Sequence, residues 1–345
     1  MKIVVRGTNW IGDAVMSVPA LKELRWIFPG AEISLHTRSW ARGIFEDADF
    51  IDRILEAETA ASKVQTVFKQ AKELKSQNFD LAVLFTNSFE SALTAKLARI
   101  PRRFGYAKEG RSFLLTDSVE MPFWKNERHE AFYYLNLIAA VEKAYSGKQT
   151  VSQDEVRAEL KLSEKRRQAA RRFLEESGID LSKKTVALGA GSTNSRAKRW
   201  PAANFAELND RLQSDLNANV VLIGAADEAD VSREVFERAK QKPLVLTGQT
   251  SLAEAVAVLG EVDLLISNDM GLAHVAPAVG TKTLVIFGPT NPLTTRPLGA
   301  EIIRRNDVEC APCMLRDCPI DHRCMTRITP ADVFEKALEM LRGEI

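Results

Sequence analysis

Val262-Asp263-Leu264-Leu265-Ile266-Ser267 runs directly into Asn268-Asp269-Met270-Gly271-Leu272-Ala273-His274. A short apolar run that ends in a glycine-bearing turn and then takes up helical apolar spacing predicts a buried strand, a tight turn and a helix start. The first N–H groups of a helix have no intrahelical partner and sit at the positive end of its dipole, so such a start is suited to an anion. Gly271 lets the backbone approach a ligand closely, with Asp269 and His274 as polar groups on either side. The stretch predicts a cradle for a nucleotide diphosphate on an α/β sheet.

The same alternation extends in both directions. Strands are predicted at 3–5, 33–36, 80–85, 185–188, 220–223, 244–246, 263–267 and 283–287. Helices are predicted over 13–27, 63–75, 89–98, 130–144, 165–177, 202–216, 252–259, 271–279 and 330–342, the last capped by Thr329 with Pro330 in its first turn. Between two such runs, residues 145–155 are polar and uncommitted and read as a linker. Alternating strands and helices imply parallel sheets covered on both faces, here as two doubly wound Rossmann-like domains, 1–155 and 156–329. In such sheets ligands lie at the carboxyl ends of strands, and with two domains the expected site is a central cleft between them.

Composition narrows the function classes. Of 345 residues, 45% are apolar and 27% charged, with net charge +1, so nothing global points to nucleic acid. No run of 18 apolar residues is present, and the start, Met1-Lys2-Ile3-Val4-Val5, enters a strand without a signal-peptide core. The cytoplasm is the expected compartment. All four cysteines lie in one segment, Cys310-x2-Cys313-x4-Cys318-x5-Cys324, which is not a disulfide framework spread through a fold. The first pair has metal-ligand spacing, so two readings stand: a structural zinc on these four thiols, or reduced thiols in a compact loop. Asp47-Ala48-Asp49 reads as a solvated acidic turn rather than a metal site.

Further motifs carry chemistry. After the first strand comes Arg6-Gly7-Thr8-Asn9-Trp10-Ile11-Gly12-Asp13, which matches neither a dinucleotide fingerprint nor a P-loop. Asp13 at the helix start is either a first-turn acid that stabilises the dipole or a general base for a bound hydroxyl. Gly189-Ala190-Gly191-Ser192-Thr193-Asn194-Ser195-Arg196-Ala197-Lys198-Arg199-Trp200-Pro201 follows another strand and combines glycines, hydroxyls and three cations, a set suited to phosphate oxygens. Asp227 and Glu228, after the strand at 220–223, are candidates for ribose hydroxyls, and the turn with Thr250 is placed to frame a base. The basic stretch from Arg99 to Arg111, with Arg103 and interleaved aromatics, reads either as a solvated face or as a site for an anionic glycan.

Taken together, Gly12-Asp13, Lys198-x-Trp200-Pro201, Asp269-x-Gly271-Leu272-x-His274 and Phe287-Gly288-Pro289-Thr290 resemble the ADP-heptose–lipopolysaccharide heptosyltransferases of glycosyltransferase family 9 over nearly the whole chain. The cysteine block is more similar to the second-heptose enzymes, heptosyltransferase II. The resemblance implies a GT-B fold, with acceptor bound by the N-terminal domain, nucleotide sugar by the C-terminal domain, and the terminal helix 330–345 packed back on the first. It implies an inverting transfer from ADP-heptose to the first heptose of the inner core, with Asp13 as base and Lys198 on the diphosphate. Ser192, Thr193, Asp269, Met270, Gly271, Leu272, His274 and Thr250 would complete the donor site, the ribose acid being Asp227 or Glu228. Asn9, Trp10, Arg103 and Arg111 would take the acceptor. Met270 stands where some relatives have Thr, leaving a backbone contact there. No cofactor beyond the donor is implied, and the partners implied are the nucleotide sugar and a lipopolysaccharide core acceptor at the inner membrane surface, without nucleic acid or a stable protein partner. Rival readings are another GT-B enzyme, such as a first-heptose transferase or an epimerase, and a non-catalytic nucleotide-binding module, which would have no use for Asp13.

Overall fold

The computed structural model describes residues 1–152 and 156–343. The chain forms two compact units, Met1–Ala158 and Glu159–Ile345. The domain boundary expected after residue 155 lies outside the described residues. Each unit contains one six-stranded, all-parallel sheet.

The first sheet comprises β1 Lys2–Arg6, β2 Glu32–Thr37, β3 Arg53–Glu56, β4 Leu81–Leu84, β5 Arg102–Tyr106 and β6 Asp117–Val119, in the order β3-β2-β1-β4-β5-β6. The second comprises β7 Thr185–Gly189, β8 Asn219–Leu222, β9 Leu244–Val245, β10 Leu264–Asn268, β11 Lys282–Phe287 and β12 Glu301–Arg304, in the order β12-β11-β10-β7-β8-β9. Both therefore wind outward from a central pair, β1/β4 in one and β7/β10 in the other. At such a pair the strand order reverses and the loops on its two sides part, opening a crevice at the carboxyl ends of the strands. Between their ends the central strands are apolar on both faces because helices cover both: Ile3, Val5, Leu81, Val83, Val186, Leu188, Leu264 and Ile266 are fully buried.

The strands missing from the sequence reading are β3, β5, β6 and β12. They are short and charged, and three of them are edges, where charge on an outer strand discourages pairing with another chain. Charge is also used within the sheet, as Arg102 on β5 forms a two-pronged pair with Asp117 on β6, 2.8 and 2.7 Å. The single helix expected over 13–27 is two helices, Ile11–Met16 and Val18–Ile27. Ser17 breaks it by bonding its hydroxyl to the Ala14 carbonyl at 2.8 Å, and Pro19 then sits in the first turn of the second helix, where its missing N–H costs nothing.

The terminal helix Pro330–Arg342 forms where its cap and Pro330 predict it. It packs on the helix Ala202–Leu216 and the strands β10 and β11 of the second unit. Its buried Val333, Phe334, Ala337 and Met340 join one apolar cluster with Trp200, Phe205, Leu212, Ile266 and Ile286. The spacing of those four residues makes one stripe, and the helix Ala202–Leu216 presents the complementary face. Residues 344–345 of the expected element lie outside the described residues.

Candidate active site

In the second unit the loops after β7 and β10 meet at the central strand pair. Asn268, the last residue of β10, is fully buried and ties them together. Its amide oxygen accepts from the Trp200 N–H at 2.9 Å, and its NH2 donates to the carbonyls of Ala190 and Gly191 at 2.7 and 3.2 Å. Gly189 is required here for space, since a Cβ on it would lie 2.7 Å from Ser267 Cβ and 2.9 Å from Met270 Sδ.

The loop after β7 delivers Lys198. Its Nζ lies 2.7 Å from Asp269 Oδ2, and the same oxygen accepts from the Thr290 hydroxyl at 2.8 Å. Asp269 is buried, whereas the Lys198 side chain keeps about a quarter of its surface in solvent. A lysine ammonium has three N–H donors and the carboxylate uses one, so cationic donor capacity remains on the open side. Directly after Asp269, the helix Gly271–Ala278 begins without a side-chain cap at Met270. Its first amides therefore offer unpaired N–H groups beside the ammonium. Leu272 and His274 are buried in this helix.

Ser192 is buried and Thr193 exposed, and the Ser192 carbonyl is held by Arg199 through Nη2 at 3.1 Å and Nε at 3.3 Å. Glu228 closes the same loop from below. Its carboxylate accepts from the Ala225 N–H at 2.9 Å and from the Thr193 hydroxyl at 3.5 Å. A Cβ on Gly191 would fall 2.2 Å from Glu228 Cδ, so only glycine lets that acid lie against the loop. Burial pushes the Glu228 carboxyl up, with the Asp227 charge adding to it; the Ala225 N–H, Arg199 and Thr193 pull the other way. Asp227 itself is exposed. The turn carrying Thr250 is anchored to this region by the Gly248 N–H on the Gly224 carbonyl at 3.0 Å, and the Thr250 hydroxyl is buried without a hydrogen-bond partner among the described residues.

In the first unit, Gly7 donates its N–H to the His36 carbonyl at 3.0 Å, and Thr8, Asn9 and Trp10 follow at the carboxyl end of β1. Asn9 is exposed and Trp10 is 57% exposed. Asp13 lies in the first turn of the helix Ile11–Met16 and is half-buried. Burial holds the Tyr134 phenol far above its ordinary range, and the negative charge of Asp13 adds to that shift.

The two arginines expected to take the acceptor are structural. Arg111 is fully buried, and its guanidinium donates to the carbonyls of Tyr106 (3.1 Å), Thr86 and Ser88 (3.2 Å), to Ser91 Oγ (3.0 Å) and to Asn87 Oδ1 (3.1 Å). Burial brings its pKa down to about 10. It fixes the loop after β4. Arg103 likewise donates to the carbonyls of Leu114 at 2.8 Å and Ile100 at 2.5 Å.

Cys310 and Cys313 are exposed, Cys318 is half-buried and Cys324 is buried. Among the described residues no group of three or more His, Cys, Asp or Glu is arranged to hold a metal ion. Burial and then the other three thiols push Cys324 up to about 11, which keeps it a thiol at neutral pH. The cysteine segment clamps the loop that ends in Lys198. Ala197 donates its N–H to the Arg316 carbonyl at 2.9 Å, His322 Nε2 lies 2.6 Å from the Ala197 carbonyl, and Arg196 pairs with Asp317 at 2.6 Å. The sequence reading missed this clamp, together with the tie through Asn268 and the Thr290 bond to Asp269. Asn268 and Thr290 stand in quoted motifs, but nothing in their spacing shows what they bond to.

The sequence pattern of "Glycosyltransferase family 9 (heptosyltransferase)" matches residues 67–323, more than half of the chain. Lipopolysaccharide heptosyltransferase 2 of Escherichia coli is 28% identical, with 88% of each chain covered. Lipooligosaccharide heptosyltransferase 2 of Haemophilus influenzae is 26% identical, with 99% of each covered. Among solved structures, the ADP-heptose lipopolysaccharide heptosyltransferase II of E. coli superposes with a TM-score of 0.84 at 26% identity, covering 100% of this chain and 99% of that one. A glycosyltransferase of family 9 from Veillonella parvula shares the fold at a TM-score of 0.85 and 21% identity. Two Rossmann-like units with this likeness are the GT-B class. With both units wound from the same strand order and the phosphate-type loops at the central pair of the second, the chain belongs to glycosyltransferase family 9, the heptosyltransferase family, and is a glycosyltransferase.

Proposed function

We propose that this protein transfers L-glycero-D-manno-heptose from ADP-heptose to the first heptose of the lipopolysaccharide inner core, with inversion, at the cytoplasmic face of the inner membrane. The observation that carries the donor half is the meeting of Lys198, Asp269 and the uncapped helix start at Gly271. This is a partly open cation beside free amides, where a diphosphate needs positive charge most. The curated relatives named heptosyltransferase 2 carry the choice of sugar and acceptor.

In the scheme, Asp13 accepts the proton of the acceptor hydroxyl as its oxygen attacks the anomeric carbon, and the bond to ADP breaks on the opposite side. The electron pair passes to the diphosphate. Lys198 and the amides of Gly271 and Leu272, just after Met270, stabilise the growing charge. Asp269 orients Lys198 in this reading rather than touching the sugar. Ser192 and Thr193 line the phosphate loop. Glu228, closed against Gly191, is preferred over exposed Asp227 for the ribose hydroxyls, and the orphaned Thr250 hydroxyl has a partner once the nucleoside is bound. His274 supports the helix from within. Exposed Asn9 and Trp10 remain the acceptor candidates. The scheme draws its positive charge from these groups and calls for no cofactor.

Incubation with ADP-heptose and a core acceptor carrying one heptose, followed by mass spectrometry, tests the reading. A gain of one heptosyl unit is the expected result. Hydrolysis of the donor with no mass gain, or transfer only to an acceptor lacking heptose, would overturn it.

A further inference from the structure

The first unit carries a basic, aromatic face. Between Lys63 and Phe113 the chain has ten Lys and Arg against four Asp and Glu, within a protein whose net charge is +1. Arg103 and Arg111 turn inward, and Lys63, Lys69 and Arg102 are paired with Glu90, Glu58 and Asp117. That leaves Lys72, Lys75, Lys96, Arg99 and Lys108 exposed and without an ion pair among the described residues. Glu73, Asp80 and Glu109 are the acids left to oppose them, and Asp80 accepts from the Lys2 N–H at 2.8 Å.

Large apolar side chains stand among these cations. Val64 and Phe68 are 65% and 61% exposed, one turn apart on the helix Lys63–Ser76, and Lys72 and Lys75 continue the same stripe. Phe89, at the start of the helix Phe89–Leu97, meets Phe113 with ring centroids 6.1 Å apart. Phe113 is 68% exposed, and Lys96 lies 5.6 Å from its ring centroid. The two helices pack side by side and are tied near their starts by Lys63 and Glu90, 3.5 Å apart. The features therefore form one surface. Aromatic side chains grouped with lysines on one surface match an acyl boundary under anionic headgroups.

We infer that this face docks the protein on an anionic bilayer, with Val64, Phe68 and Phe113 entering the headgroup layer and Lys72, Lys75, Lys96, Arg99 and Lys108 on the lipid phosphates. The helix Phe89–Leu97 starts at the carboxyl end of β4, beside β1, so the surface begins at the edge of the sheet that carries Asp13. Docking there brings that edge to a lipid-anchored acceptor. The inference takes its purpose from the proposed reaction and its support from charge and exposure alone.

Co-sedimentation of the full chain with vesicles, without donor, tests it. Binding is expected to vesicles of equal parts phosphatidylcholine and phosphatidylglycerol, to fall with added salt, and to be weak on phosphatidylcholine alone. Phe68→Ser with Phe113→Ser, and separately Lys72→Glu with Lys96→Glu, should each weaken it by on the order of tenfold or more. All four positions are exposed, and transfer to a water-soluble acceptor sugar should stay unchanged in both variants. Equal binding to both vesicle types, or wild-type binding by both variants, would overturn the inference. So would a fall in the solution mass of the protein on the Phe substitutions without any change in vesicle binding, which would assign the face to self-association. Loss of transfer with vesicle binding intact would instead count against the proposed reaction alone.

Discussion

Replacing Lys198 tests the diphosphate assignment most directly, because the geometry sets both the size of the effect and its rescue. Lys198 Nζ is 2.7 Å from Asp269 Oδ2, and the lysine side chain is about a quarter exposed. A charge-assisted hydrogen bond from an ammonium contributes about 1.5–3 kcal/mol. A unit charge pair at ~4 Å in an effective dielectric of ~20 is worth about 4 kcal/mol, an upper bound that partial exposure trims. Lys198→Ala removes that bond and also strips the cation from a buried carboxylate, which then repels the incoming diphosphate. The expected loss in ADP binding is about 2–4 kcal/mol, or about 30- to 1,000-fold in Kd. Adding Asp269→Asn removes the stranded charge while its amide oxygen can still accept from Thr290. The double variant should therefore recover about 1 kcal/mol or more relative to Lys198→Ala. Calorimetric titration of ADP into the wild type, both single variants and the double closes the cycle, with thermal melts as a control for folding. An ADP affinity for Lys198→Ala within twofold of wild type, or a double variant no tighter than the single, would refute the assignment.

Asp13→Ala should abolish transfer while leaving ADP affinity unchanged; turnover near the wild-type rate would remove Asp13 from the base role. Gly191→Ala forces a methyl to 2.2 Å from Glu228 Cδ, so it should cost about 1–3 kcal/mol of stability and weaken ADP binding, read by melting and titration; an unshifted melt would show that Glu228 moves aside freely. His36 is fully buried with neither ring nitrogen hydrogen-bonded among the described residues, and burial, then the Arg6 charge, lowers its pKa from 6.5 to about 3. In that window the unfolded chain binds a proton that the folded chain refuses, so His36 removes stability as the pH falls from about 6.5 to about 3 and has no effect above it. His36→Leu should flatten the acid limb of the stability profile; an identical pH dependence in that variant would contradict the assignment.

Residues whose information is local were legible from the chain. β10 and the turn into Gly271 carry an apolar run, a glycine and a helical period within a few positions, and the helix Pro330–Arg342 carries its cap and Pro in its first turn. The unread strands β3, β5, β6 and β12 are charged because of where they lie in the sheet, and a neighbour's position is not a local property. Arg111 shows the limit most clearly. In sequence it sits in a basic, aromatic stretch that suits a glycan, yet in the fold it is the inward brace of the loop after β4.

Periodicity, turn chemistry and motif spacing thus settled the class of fold, because backbone propensity and apolar pattern act over a few residues. Tertiary structure decided which charges are spent and which remain available. Lys198 meets Asp269 across 71 positions, Glu228 closes on Gly191, the cysteine segment clamps Ala197, and the terminal helix chooses its partner face, all through contacts distant in sequence. A charged side chain has the same sequence signature whether it is buried on carbonyls or open to a ligand. Only folding, which makes desolvation costly unless a partner is at hand, tells the two apart.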